Sequence, residues 1–498
     1  MELDKLLENM FSERKRNNIE AEIFIMNLLK THITNQGKAV FYGDADECRG
    51  YDMCAPEGFD NFTSSTYISF RLSINLNKVQ TLFNSFYSRV RQDSNQKLVV
   101  ITIKPVSALV FEEMKRCNSN GDTSIVIWGL DEIYEIARMH EGKVKELGNK
   151  RFELKLESII GKKQEKWKDK RKSLIDSING HYKDGQLSLF LGAGVSSSCG
   201  LPDWNTLLNS LMVSMLTKEL NQHKKLENKE VSSIVERLRK VDEPSALMSA
   251  RYIRKGMASS GSTEQTKFIE AVTEKLYGLR NENSPIDSAL IKSIAAMCIP
   301  GRTGPKVKSV ITYNFDDLLE RELLKREIIH RSIFEEIEIP TQDELPLYHV
   351  HGYLPQDESK HSNLDKSTLV FSEEGYHKIY SEPYHWSNLV QLNNLKESTC
   401  IMIGLSMTDP NLRRLLEIAS RSIEIPKHYA FIKRIDFDVF TKEESKNIVD
   451  APSSTIKTFL NSHHSLNEDV LAELGVNVIW YESYDEIPSL LQDIYKSI

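Results

Sequence analysis

The 498-residue chain has no uninterrupted apolar run approaching the ~18 residues of a membrane span, so no transmembrane helix and no membrane partner are expected. Its opening residues, MELDKLLENMFSERKRNN, are charged and read as helix, not as a secretory signal. Cysteine is scarce. Cys48, Cys54, Cys117, Cys199, Cys298 and Cys400 are the only six, and no two stand at CxxC spacing. A disulfide scaffold is therefore not expected, and a reducing cytoplasm is the compartment that fits. An excess of positive charge is missing too. Lys and Arg number 64 against 71 Asp and Glu, a net charge of −7, which argues against a chain-wide nucleic-acid footprint. Internal repeats and low-complexity tracts are also absent. What is present is an ordinary globular balance, 40% hydrophobic and 27% charged, on a chain long enough for about two or three domains.

The first third alternates strand and helix patterns. Residues 4–34 read as one or two helices. Lys38–Tyr42, Tyr67–Asn75, Lys97–Ile103 and Ser124–Trp128 read as strands, with helices over 79–90, 105–116 and 131–140. This spacing predicts a small α/β domain over 1–147. Its order resembles a restriction-endonuclease-like domain in degenerate form. That resemblance implies Asp60 as a metal carboxylate, yet Ser69 and Arg71 stand where the family's Glu and Lys would be. Hydrolysis would lack an adequate metal cage, so recognition or assembly is the expected use. Asp44, Asp46, Glu47 and Asp60 read more simply as a solvated acidic loop, with Cys48 and Cys54 in it. Residues 148–184, which include GKKQEKWKDKRKS, read as a basic, exposed helical linker. Contact with nucleic acid is considered at this stripe, with Trp167 within it, and for the N-terminal domain. A solvated face is the simpler reading.

The stretch Leu187–Trp204, LSLFLGAGVSSSCGLPDW, passes from an apolar strand through Gly192-Ala193-Gly194 to the start of a helix. Such a junction lets a backbone approach a phosphate closely. Helical segments follow over about 229–240, 244–256, 264–279 and 286–298, an insertion at about 220–300 without a chemical motif. Downstream, Val307–Thr312 is a strand ending in Tyr313-Asn314-Phe315-Asp316-Asp317. Residues at that end of a strand meet the crevice of a doubly wound sheet. Leu347–Tyr353 (LYHVHGY) reads as a strand with His349 and His351 on one face. Thr399–Ile403 ends in GLSMTDP, a second small-residue turn. Polar, loop-like residues fill 434–465, and 474–481 with 487–494 close the pattern as strand and helix.

Taken in order, GAGVS…GLPDW, TYNFD, HGY and GLSMTDPNL resemble the NAD-binding core of the sirtuin family, most closely the sirtuin-like domains of bacterial antiphage defence proteins. The resemblance implies an α/β fold over 185–498: a Rossmann-like parallel sheet with a helical insertion, preceded by the smaller α/β domain. It also implies roles. Gly192, Ala193, Gly194 and Ser196 would cradle the pyrophosphate. Pro202, Asp203 and Trp204 would shape the nicotinamide-ribose side. Asn314 would orient the ribose and the attacking water, with Asp316 supporting that pocket. His351 would be the general base, and Gly404, Ser406 and Asp409 would hold the adenosine ribose. A histidine near neutral pKa suits such a base, and an asparagine positions water without adding charge.

Deacylating sirtuins carry two CxxC pairs after the HG motif, whereas no cysteine lies between His351 and Cys400 here. No zinc is therefore expected, and water becomes the expected acceptor. The reading is an NAD+ hydrolase that releases nicotinamide and ADP-ribose, a triggered NAD-depleting effector in antiphage abortive infection. A homo-oligomer, a partner protein from the same defence locus and a phage-derived or small-molecule trigger are the expected associations. An ADP-ribosyltransferase or deacylase, and a non-catalytic NAD or ADP-ribose sensor, are the rival readings.

Overall fold

The computed structural model describes residues 7, 11, 18–42, 45–71, 74, 76–90, 96–118, 124–150, 167–220, 230–231, 233–235, 237, 246–257, 263–302, 304–336, 339–361, 364, 367, 369–371, 373–382, 384–421, 425–443 and 446–496. They form two compact units, one of residues 1–165 with 451–466 and one of 166–450 with 467–498. Asp44, residues 151–166 and half of the helix expected over 229–240 lie outside the described residues. Among the described residues, no helix is long and apolar enough to cross a membrane.

The first unit holds a five-stranded sheet in chain order: β1 (Phe41–Tyr42), β2 (Met53–Ala55), β3 (Thr66–Arg71), β4 (Lys97–Thr102) and β5 (Ser124–Trp128). The pairings β1–β2 and β2–β3 are antiparallel, and β3–β4 and β4–β5 are parallel. Parallel neighbours need crossovers, which the helices Leu76–Val90 and Ala108–Asn118 supply. Alternation along β4 feeds two cores. Val99 and Ile101 pack with Leu28, Leu29 and Ile133, whereas Leu98 and Val100 pack with Tyr67, Phe86 and Val110.

Two expectations change here. Cys48 and Cys54 are not surface-loop residues, because both are buried in the second of those cores and Cys54 lies on β2. Asp60 is exposed, as a solvated loop would have it, but its carboxylate is already engaged by neighbouring side chains. Its carboxylate lies 2.8 Å from His32 Nε2 and accepts from Gln36 Nε2 at 2.6 Å. His32 Nδ1 in turn lies 3.0 Å from His140 Nε2.

The second unit is built on a seven-stranded sheet with every pairing parallel. Its strands are β6 (Leu187–Leu191), β7 (Val307–Thr312), β8 (His330–Ile333), β9 (Leu345–His349), β10 (Thr399–Ile403), β11 (His428–Lys433) and β14 (Val476–Tyr481). A two-stranded hairpin, β12 (Lys442–Glu443) with β13 (Lys446–Asn447), precedes β14. The order across the large sheet is β14-β11-β10-β6-β7-β9-β8. All residues of β6 and β10 are buried, which is why both read as continuous apolar runs. From β6 the chain winds outward through β7. It then returns to β10 on the other side of β6 and winds away through β11 and β14. The crevice between the ends of β6 and β10 is the switch point at which such sheets bind ligands.

Trp167–Lys183 is not an exposed linker. Ile175, Ile178 and Tyr182 are buried against the sheet's core, because the apolar residues of this basic sequence recur at helical spacing. Residues 434–465 are also less loop-like than their polarity suggests, since Ser453–Glu473 is one helix. The insertion contributes the helices Ala246–Met257, Thr263–Gly278 and Ala289–Met297.

Candidate active site

The switch point is made by two interlocked turns. Gly192 N–H donates to Ile403 O at 2.9 Å, and Gly194 N–H donates to Gly404 O at 3.0 Å. A Cβ on Gly192 would stand 2.5 Å from Gly404 O, and one on Gly194 would stand 2.8 Å from Gly404 Cα. Gly404, at φ +70°, would bring a Cβ to 2.7 Å from Val195 N. These glycines therefore let one backbone cross another. The expectation that Gly192 and Gly194 offer their N–H groups to a pyrophosphate is corrected, since both donors are bound to the β10 turn. Ala193, between them, is exposed.

Beside this crossing, the end of β7 carries the polar groups. Asn314 Nδ2 donates to Gly192 O at 3.0 Å, and its N–H is held by Thr312 Oγ1 at 3.1 Å. Ser196, expected at the pyrophosphate, instead donates its hydroxyl to Asp316 Oδ2 at 2.6 Å. Asp316 Oδ1 accepts the Leu318 N–H at 3.1 Å. Burial pushes the Asp316 carboxyl up to about 6, against these two hydrogen bonds. Ser196, Thr312, Asn314, Asp316 and Glu320 line a small cavity closed by Leu191 and Leu347.

Sequence reasoning missed the groups that brace this cavity. His349 Nε2 lies 2.6 Å from the buried Glu320 Oε1, which also accepts from Ser332 Oγ at 3.1 Å. Burial raises the Glu320 carboxyl, but His349, a backbone hydrogen bond and His330 act together against it and the net shift is downward. From the insertion, the Tyr277 hydroxyl reaches Asp317 Oδ1 at 3.1 Å and Leu354 O at 2.8 Å. A lone tyrosine in an amphipathic helix gives no sequence signal of that contact.

His349 and His351 do not share a strand face. β9 stops at His349, and the chain then turns through Gly352 at φ +110°. His351 sits among other groups, edge-on to Tyr313 at 4.7 Å and to Tyr376 at 5.7 Å between ring centroids. Its buried Nε2 has no hydrogen-bond partner and lies 3.9 Å from Asp409 Oδ2. Burial moves this imidazole below its ordinary pKa, and Asp409 opposes the shift. Asp409 caps the helix Pro410–Ser420 through Leu412 N–H at 2.7 Å. The Tyr376 hydroxyl donates to Asp409 Oδ2. The two residues of the GLSMTDP turn thus part company. Asp409 points to His351, whereas Ser406 is exposed and bonded to Thr408 Oγ1 at 2.6 Å.

Asp203 is exposed and accepts the Thr206 N–H at 2.7 Å, at the start of the helix Trp204–Leu220. Trp204 packs on Phe371 at 4.6 Å and Phe315 at 6.2 Å between ring centroids. Pro202, just before Asp203, is half-buried. Among the described residues, no group of three or more His, Cys, Asp or Glu side chains is arranged to hold a metal ion.

Residues 308–454 match the family model described as SIR2-like domain. Over that span, under a third of the chain, the sequence is similar to SIR2-like domains. The matched span starts at β7 and takes in Asn314, Asp316, His351, Gly404 and Asp409, while β6 and its glycine turn join it through the sheet. The chain is also 22% identical over 332 residues to the NAD(+) hydrolase ThsA of Enterococcus faecium, covering 66% of this chain and 58% of that protein. It is 20% identical over 335 residues to the NAD(+) hydrolase ThsA of Acinetobacter baumannii (strain 532279), covering 66% and 56%. The chain thus spans under three fifths of the length of these curated relatives.

Proposed function

We propose that the SIR2-like domain hydrolyses NAD+ at the bond between nicotinamide and ribose. What carries this is a half-buried Asn314, clamped on the Gly192 turn, and a buried His351 whose Nε2 is unpartnered. Asn314 supplies a neutral donor and acceptor at the switch point. His351 supplies a base whose burial favours the uncharged, proton-accepting form. In the reaction, the N-glycosidic bond breaks and nicotinamide leaves with the bonding pair. A water oxygen bonds to C1′, and its proton passes to His351. The buried Asp316 and Ser196 line the small cavity together with Asn314, and Asp409 lies beside the base. The relatives named as NAD(+) hydrolases support the substrate.

The same reading makes the protein an antiphage effector that depletes NAD once triggered, with its oligomer, locus partner and trigger acting as the control. Incubation of the full chain with NAD+, with and without proteins of its locus, followed by chromatography of nicotinamide and ADP-ribose, tests it. Equal yields of both products are expected, with loss of at least ~100-fold in Asn314→Ala and His351→Ala. NAD+ that stays intact under every condition, or an ADP-ribose yield far below nicotinamide, would overturn hydrolysis.

A further inference from the structure

His351 has no hydrogen-bond partner at Nε2, yet it is not isolated. The nearest charge is Asp409 Oδ2 at 3.9 Å, beyond hydrogen-bond range and within the range at which an opposite charge governs protonation. Asp409 itself is held twice. Oδ1 accepts the Leu412 N–H at the start of its helix, and Oδ2 accepts the Tyr376 hydroxyl. Tyr376 comes from the helix Glu373–Ser381 and also lies edge-on to the His351 ring. On the opposite side, the Tyr313 ring is fixed by its hydroxyl, which donates to Gln391 Oε1 at 2.5 Å. Two tyrosines therefore wall the imidazole while one carboxylate faces its edge. The titratable groups around the ring are Asp409, Tyr376 and Tyr313, with Tyr380 behind Tyr376 at 6.1 Å between centroids.

We infer that Asp409 and Tyr376 are a positioning pair for His351, with Asp409 holding the imidazolium that forms when the ring takes a proton and Tyr376 holding Asp409. This rests on His351 being the base of the proposed reaction. The attacking water's proton ends on the imidazole as its oxygen bonds to C1′ and nicotinamide leaves with the bonding pair. A small rotation of the ring brings the imidazolium N–H onto Oδ2. The Tyr376 hydroxyl competes for the same oxygen, so it limits how strongly Asp409 attracts the proton. The pair thereby sets the protonation range of the base through a bond that opens and closes, while the cap to Leu412 keeps the carboxylate in place.

The test is the titration of the His351 ring, followed by NMR of the full chain labelled at histidine Cε1 and assigned with His351→Gln. Asp409→Asn removes the charge and keeps a good helix cap, so the helix is retained. It should move the titration down by about one pH unit or more. Tyr376→Phe releases Oδ2 from its competing donor and should move it up. Opposite directions in the two variants are what a mere loosening of the fold would not produce. A titration unmoved in Asp409→Asn, or moved the same way by both variants, overturns the pair. The kcat–pH profile on NAD+ should move in step with the titration while KM changes little. Because the titration needs no turnover, failure of NAD+ cleavage and failure of the pair are distinguishable.

Discussion

The side-chain amide of Asn314, just past β7, donates to the carbonyl of Gly192, just past β6, at 3.0 Å. That single bond ties the end of β7 to the turn that crosses β10. Asn314→Asp is nearly isosteric but replaces the donor by an acceptor facing a carbonyl. It should cost about 1–3 kcal/mol of stability and at least ~100-fold in NAD+ cleavage. Urea unfolding and nicotinamide release measure the two separately.

The glycine crossing makes a prediction with an internal control. Gly404→Ala adds a methyl 2.7 Å from Val195 N at φ +70°, so it should lower stability by about 3 kcal/mol or more, combining strain and clash. Gly37 has φ +75° with nothing within 4 Å of an added Cβ. Gly37→Ala should cost only about 1 kcal/mol. Equal effects in thermal unfolding would show that the backbone crossing contributes nothing beyond φ.

Asp316 links stability to pH. Its carboxyl rises from 3.8 to about 6 on folding, through burial first. An acid with a raised folded pKa favours the fold while protonated, so its penalty develops as pH climbs from about 4 toward 6 and is complete above. Asp316→Asn should nearly match the wild type near pH 4 and exceed it by about 3 kcal/mol near pH 8. The same variant should lose NAD+ cleavage, because the pocket's carboxylate is gone. A pH-independent stability difference would refute the linkage.

His428 works in the opposite pH range. Its Nδ1 accepts the Cys400 N–H at 3.2 Å, which requires an unprotonated nitrogen. Burial, helped by Lys427, pushes its pKa down to about 3. A base with a depressed folded pKa keeps full stability above its unfolded pKa and loses it as pH falls below about 6.5. The loss should be about 2 kcal/mol at pH 5. His428→Asn, which retains an acceptor, should flatten that slope in urea unfolding at pH 7.5 and pH 5.

Much of the second unit was legible as local pattern. Leu187–Leu191 and Thr399–Ile403 are apolar runs of strand length, and their burial on both faces follows from a parallel sheet covered by helices. Asn314 and Asp316 were readable as strand-end residues. The basic stretch at Trp167 misled, because its charges outnumber the few apolar residues that fix its packing. The short β2 and β8 left too few residues for a period of two to register. Asp409 was assigned by its place in GLSMTDPNL, yet its direction is set by the helix it caps and by Tyr376, and neither is visible in that string.

The sequence by itself determined where strands stop and turns begin, because periodicity, glycine and capping residues act over a few neighbours. It also determined that small residues and a histidine would stand at strand ends. Only the tertiary structure decided what those residues meet. Gly192 and Gly194 spend their N–H groups on β10, Ser196 serves Asp316, and His351 faces Asp409 instead of sharing a face with His349. Those pairings depend on strand order, and strand order is settled by burial summed over the whole sheet, not by any segment of it.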